Sequence, residues 1–151
     1  MTQFLAVLRA LPLANLHLGG MSVEFTMLAL AVVLGFVHLF LASHFVTAER
    51  GVAWNTGARD ETPPLQGKLA GRLDRAFANF RETFPFFAVA IVICALLDRH
   101  GPRTEWGAQL YFWGRVIYLP LYAIGVPALR TLVWLLSTLG ILLVLSAAFS
   151  A

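Results

Sequence analysis

Apolar residues gather in four long blocks along this chain, over residues 25–46, 84–97, 108–125 and 129–149, with polar stretches between them. About 20 apolar residues in a helix cross the hydrocarbon of a bilayer. The first and fourth blocks reach that length unaided. The second and third reach it only if their charged or tyrosine-bearing flanks continue the helix. Ahead of the second block, from Leu65 to Glu82, apolar residues recur at helical spacing, which predicts a helix that begins well outside the hydrocarbon. The predicted fold is all-α, a four-transmembrane-helix bundle over residues 21–151.

The punctuation between blocks agrees with this. The connection over residues 47–68 carries glycines, charges and Pro63-Pro64; it is the one long polar link and the natural lid or docking element. Residues 98–105 are short and turn-forming, so the second and third helices should be antiparallel neighbours. Gly125-Val126-Pro127 should close the third helix and open the fourth, with Arg130 in its first turn. Pro85 removes one backbone donor near the membrane entrance, and a kink there should open a polar pocket.

Composition turns the pattern into a class. Of 151 residues, 59% are hydrophobic and 13% charged, which excludes an ordinary soluble domain and marks an integral membrane protein. The formal charge of +3 does not point to nucleic acid, because the basic residues flank hydrophobic blocks instead of forming a stripe. They read as topology signals. Arg50, Arg59, Lys68 and Arg72 follow the first block and Arg130 the third, against Arg9, Arg99 and Arg103 on the other side, so the first and third loops are expected in the cytoplasm. Residues 1–20 form an N-terminal extension, read either as a short interfacial helix or as sequence upstream of a start at Met21. Cys94, the lone cysteine, reads as a small buried hydrophobe. His38 and His44, six apart, do not share a helix face; hydrogen bonds between helices or at the interface are expected of them, and no metal.

Polar groups inside membrane helices are costly and so mark function. Arg75, Asn79 and Glu82 recur at i, i+4 and i+7 and lie within roughly 60° around the helix axis. On the third helix Tyr111, Arg115, Tyr118 and Tyr122 do the same. With Arg130, these faces offer arginines, one carboxylate and several neutral donors. That set complements a small ligand with two carboxylates and one ammonium, and glutathione is such a ligand. The same spacing equally suits Glu82 paired with Arg75 or Arg115 simply to satisfy each other.

The string Arg72-Leu-Asp-Arg75-Ala-Phe-Ala-Asn79-Phe-Arg-Glu82-Thr-Phe-Pro85 resembles a signature of the MAPEG family, the membrane-associated proteins of eicosanoid and glutathione metabolism. Arg115, Tyr118, Tyr122 and Arg130 resemble the family's second, looser signature. Gly57-Ala-Arg-Asp60 and the run from Gly125 to Trp134 are similar to a bacterial branch, which implies a bacterial inner membrane. The resemblance implies a homotrimer that binds glutathione as co-substrate between subunits near the cytoplasmic surface. It implies glutathione-binding roles for Arg72, Arg75, Asn79, Glu82, Tyr118 and Tyr122, and a thiol activator in Arg130. Arg115 is the competing activator, and Arg50 or Arg59 would reach the site from a neighbouring subunit. Thr83 departs from the pattern, standing where the eukaryotic enzymes tend to carry an aromatic residue.

The implied activity is a glutathione-dependent transferase or peroxidase acting on small hydrophobic electrophiles or lipid hydroperoxides that arrive from membrane lipid. The alternative is a non-catalytic membrane protein that uses its polar faces for trimer assembly or for binding anionic lipid.

Overall fold

Ser22 opens the first helix, its hydroxyl accepting from the Phe25 amide at 3.4 Å, and Gly51, at a φ of 88°, ends it. This helix, α1, runs Val23–Arg50 and is followed by the single turn α2, Val52–Thr56. Then come α3, Lys68–Leu96, α4, Pro102–Ile124, and α5, Pro127–Ala148. The computed structural model describes residues 20–150, and no strand occurs among them. The N-terminal extension expected over residues 1–20 lies, apart from Gly20, outside the described residues.

The chain is all-α, as the blocks predicted, with α3 beginning soon after the proline pair. Helices α1, α3 and α5 are long and apolar enough to cross a membrane. Helix α4 has 23 residues, about 34 Å of helix, but Arg103, Glu105, Gln109 and Arg115 lower its apolar character. It carries its polar groups inward: Thr104, Gln109, Tyr111, Arg115 and Tyr118 are all buried.

Consecutive long helices run antiparallel. The start of α3 meets the end of α4, where Arg72 donates to the Ala123 carbonyl at 3.0 Å. The start of α4 meets the end of α5, where Gly107 and Gly140 bring the backbones together. A Cβ on Gly107 would stand 2.7 Å from the Gly140 carbonyl oxygen, and one on Gly140 would stand 2.6 Å from that of Gly107. Between helices in lipid the hydrophobic effect gives little attraction, so close approach of small residues and the van der Waals contact it allows hold the pair. Cys94 packs at the same end as the small buried residue expected, its thiol donating to the Val144 carbonyl at 3.2 Å.

Each end of the bundle is clasped. At one, buried Glu24 accepts from Thr104 at 2.5 Å and faces His100 at 3.4 Å, tying the start of α1 to the turn before α4. At the other, Glu49 accepts from the backbone amides of Gln66 and Gly67 at 3.0 and 3.1 Å, a carboxylate on the free donors that start α3. The long connection therefore folds back on the end of α1. Arg50 donates to the Pro63 carbonyl, Trp54 donates to that of Glu61, and Arg50 and Arg59 both lie over the Trp54 ring.

Two expectations fail. His38 is 1% exposed and neither ring nitrogen has a hydrogen-bond partner, because the imidazole stacks on Phe80 at 4.8 Å and meets an aromatic wall instead of a polar neighbour. His44 lies on the exposed face, edge-on to Phe45. Pro85 opens no polar pocket. The hollow beside it, about 320 Å³, is walled by Phe36, Phe77, Phe80 and Phe84, with Arg81 its one charged residue. The aromatic side chains at helical spacing around Pro85 fill that face of α3, and the polar cleft forms around Asn79.

Candidate functional site

The polar residues of α3 and α4 meet at the level of Asn79. Arg115 is 0% exposed and reaches across from α4, donating from Nη1 to Asn79 Oδ1 and from Nη2 to Thr83 Oγ1, both at 2.7 Å. Its guanidinium carbon lies 5.5 Å from the centre of the Tyr111 ring and 5.3 Å from that of Tyr118. A buried cation is tolerable when its hydrogens are taken up and ring faces supply negative potential, and both conditions hold here except at Nε, which has no partner. The Thr83 hydroxyl lies 3.3 Å from the Asn79 and Phe80 carbonyls and 3.4 Å from the Tyr111 hydroxyl, so one side chain joins α3 to two groups of α4.

Above this buried layer opens a cleft of about 210 Å³, lined by Asn79, Tyr118, Tyr122, Arg130, Thr131 and Trp134. Three helices build it. Asn79 comes from the middle of α3. Tyr118 and Tyr122, one turn apart on α4, stand with ring centres 5.4 Å apart. Arg130 and Trp134, one turn apart on α5, form the third wall. The turn that sets α5 against α4 depends on Gly125, left-handed at φ 81° and ψ 45°, followed by Pro127 at the start of α5. That geometry brings Arg130 over the Tyr122 ring, 4.4 Å from its centre. Unlike Arg115, Arg130 is half-exposed.

Of the residues singled out in the sequence, Asn79, Tyr118, Tyr122 and Arg130 thus share one cleft, with Arg115 beneath it. Arg72 goes elsewhere. It caps the end of α4 through the Ala123 carbonyl and packs against Gly125, where a Cβ would stand 2.5 Å from the guanidinium carbon. Arg75 and Glu82 are exposed on α3 and line no part of the cleft, although Glu82 is within electrostatic reach of Arg115 and Tyr118. Arg50 and Arg59 are occupied in their own loop. Among the described residues no arginine forms an ion pair with a carboxylate, so the mutual pairing that the spacing equally allowed does not form.

Two contributors were missed. Thr83, noticed only as a departure from a pattern, is the second acceptor for Arg115, and its placement four residues after Asn79 on the same face was the available signal. Trp134 lines the cleft from α5, and its indole nitrogen is buried without a partner. Its place one turn after Arg130 was the corresponding clue.

Comparison with known proteins gives one family: the profile of the MAPEG family matches residues 27–150. No curated protein and no solved structure gives a match.

Proposed function

Because the chain belongs to the MAPEG family, we propose that it is a four-span membrane enzyme that binds glutathione in the Asn79–Arg130 cleft and activates its thiol. Members of the family are glutathione transferases, peroxidases or related membrane proteins. The observation that carries the proposal is the convergence of Asn79, Tyr118, Tyr122 and Arg130, from three helices, on one cleft. An amide, two phenols and a guanidinium are hydrogen-bond donors suited to carboxylate and peptide oxygens.

The chemistry asked of the site is modest. A free thiol of this kind is only a few per cent thiolate at neutral pH, and thiolate is the nucleophile. A guanidinium beside the sulfur favours the anion. We assign that task to Arg130, which lines the open cleft, because both terminal nitrogens of Arg115 are taken by Asn79 and Thr83 and its side chain is wholly buried. The sulfur then bonds to an electrophilic carbon of a hydrophobic substrate that enters from the bilayer, and a leaving group departs with the electron pair of the broken bond. With a hydroperoxide it takes the terminal oxygen, the O–O bond breaks to release the alcohol after proton uptake, and a second glutathione converts the resulting sulfenic acid to the disulfide and water.

Family members are typically trimeric. In a homotrimer the exposed Arg75 and Glu82 of α3 would complete the site at the border with a neighbouring subunit, supplying a further cation and the carboxylate for the ligand's ammonium. The first and third loops, with Arg50, Arg59, Lys68 and Arg130, would place the cleft at the cytoplasmic surface of a bacterial inner membrane.

The test is the ultraviolet absorbance of the glutathione thiolate in the solubilised protein near neutral pH. It should appear on binding and fall to the level of free glutathione in Arg130→Ala while binding persists. A thiolate signal unchanged in Arg130→Ala would move the activating role to Arg115. Absence of the signal in the wild type would leave trimer assembly or anionic lipid binding as the use of these polar faces.

A further inference from the structure

The Asn79 atom that faces Arg115 must be its oxygen. A guanidinium carries only donors, so an amide nitrogen 2.7 Å from Nη1 would oppose donor to donor. Arg115 takes one lone pair of Oδ1 and turns that oxygen towards the buried layer, so the group the amide offers the cleft is Nδ2 with its two hydrogens. Nor can Arg115 readily yield: it is fully buried, its other terminal nitrogen is bonded to Thr83, and its guanidinium sits among the rings of Tyr111 and Tyr118. Turning the amide over would set two donors against each other and strand a buried cation, a cost that a single ligand contact does not recover.

We propose that Arg115 is a positioning residue that commits Asn79 to donate, so that the ligand group seated at this wall is an acceptor, a carboxylate or peptide oxygen, and never an ammonium. The inference rests on the cleft being the glutathione site, and it orients the tripeptide there. None of the residues lining the cleft carries a carboxylate. The acceptor-bearing part of glutathione therefore lies against Asn79 and Arg130, and its ammonium points out of the cleft towards Glu82, an exposed α3 carboxylate one turn beyond Asn79 with electrostatic reach to Tyr118.

Two substitutions at Asn79 separate polarity from packing. Asn79→Asp keeps the shape and still accepts from Arg115, but turns an acceptor towards the cleft. Asn79→Ala removes the donor and adds nothing. With the full chain in detergent, glutathione affinity is measured by calorimetry and the melting temperature is taken without ligand. The expected order is wild type, then Asn79→Ala about tenfold weaker, then Asn79→Asp about tenfold weaker again, with Asn79→Asp melting no lower than the wild type. Asn79→Asp binding as well as Asn79→Ala, or melting below the wild type, would overturn the inference.

Arg115→Lys supplies the second readout, since one ammonium cannot hold Asn79 and Thr83 together. If Arg115 acts through Asn79, Arg115→Lys weakens glutathione binding in the wild-type background and costs nothing further in Asn79→Ala. Additive losses would show a general structural role and contradict positioning. Should wild-type protein fail to bind glutathione, the functional proposal falls. The ligand-free melting temperatures of Asn79→Asp and Asn79→Ala would still decide whether Arg115 holds the amide oxygen.

Discussion

Arg115 and Arg130 are the same residue type put to different uses, and the difference lies in what surrounds them. Arg115 is enclosed by Asn79, Thr83 and two tyrosine rings, whereas Arg130 stands half-exposed over one ring at the cleft's edge. Replacing Arg115 by Met would leave Asn79 Oδ1 without its partner and strip Thr83 of a donor, with a cost on the order of 3 kcal/mol. Thermal unfolding in detergent should show that loss, and Arg130→Ala should melt within about 1 kcal/mol of the wild type. An equal loss for both would mean that the cleft-lining arginine is as structural as the buried one. The sequence placed both arginines on polar helix faces but could not tell interior from rim. That distinction depends on which residue of another helix stands opposite, and helical periodicity reports one helix at a time.

At the level of helices, the pair α4 and α5 is held by backbone proximity at Gly107 and Gly140. Gly140→Ala places a methyl group against the Gly107 carbonyl, where no flexible side chain can yield, so α5 must move away from α4. We expect a loss of roughly 1–3 kcal/mol and a weaker cleft, since Arg130 and Trp134 lie on the same α5. An unchanged melting temperature would show that the crossing tolerates the added atom. Element boundaries were the most legible part of the chain. Gly125-Val126-Pro127 announced the α4–α5 turn, and the helical spacing after Pro64 announced the long start of α3. What misled was chemistry assigned without neighbours. His38 was expected to find a hydrogen-bond partner, and Pro85 to open a polar pocket, yet both face rings of α3 or its surroundings, Phe80 above all.

Taken whole, the molecule is a membrane bundle with a buried polar layer and a cleft around Asn79 and Arg115, and a second buried polar cluster, Glu24 with Thr104, at its other end. Phe36, Phe40, Phe86, Leu96 and Leu142 stay exposed, as residues facing lipid do. The long loop and Arg130 share one end, and Glu24, Thr104 and His100 share the other. Because Cys94 is buried, single cysteines introduced by Asp60→Cys and Arg99→Cys can report sidedness in intact membranes. Asp60→Cys should react with an impermeant reagent only from the cytoplasmic side, and Arg99→Cys only from the opposite side; the reverse pattern would invert the orientation proposed for the cleft. The family was legible because Arg75, Asn79, Glu82 and the α4 tyrosines are spaced by the helix itself, and of these Asn79, Tyr118 and Tyr122 share the candidate cleft. The division of labour was not: Arg72 went to a helix end, and Arg75 and Glu82 to the outer surface, by tertiary geometry that the spacing does not encode.

The most direct measurement is the melting temperature of the solubilised full chain as glutathione is raised to millimolar concentration. A ligand that binds only the folded state raises that temperature with the logarithm of its concentration above Kd. A rise in the wild type, reduced at each concentration in Asn79→Ala and in Arg75→Ala, is the expected result. No rise in the wild type at millimolar glutathione would contradict a glutathione site in this cleft.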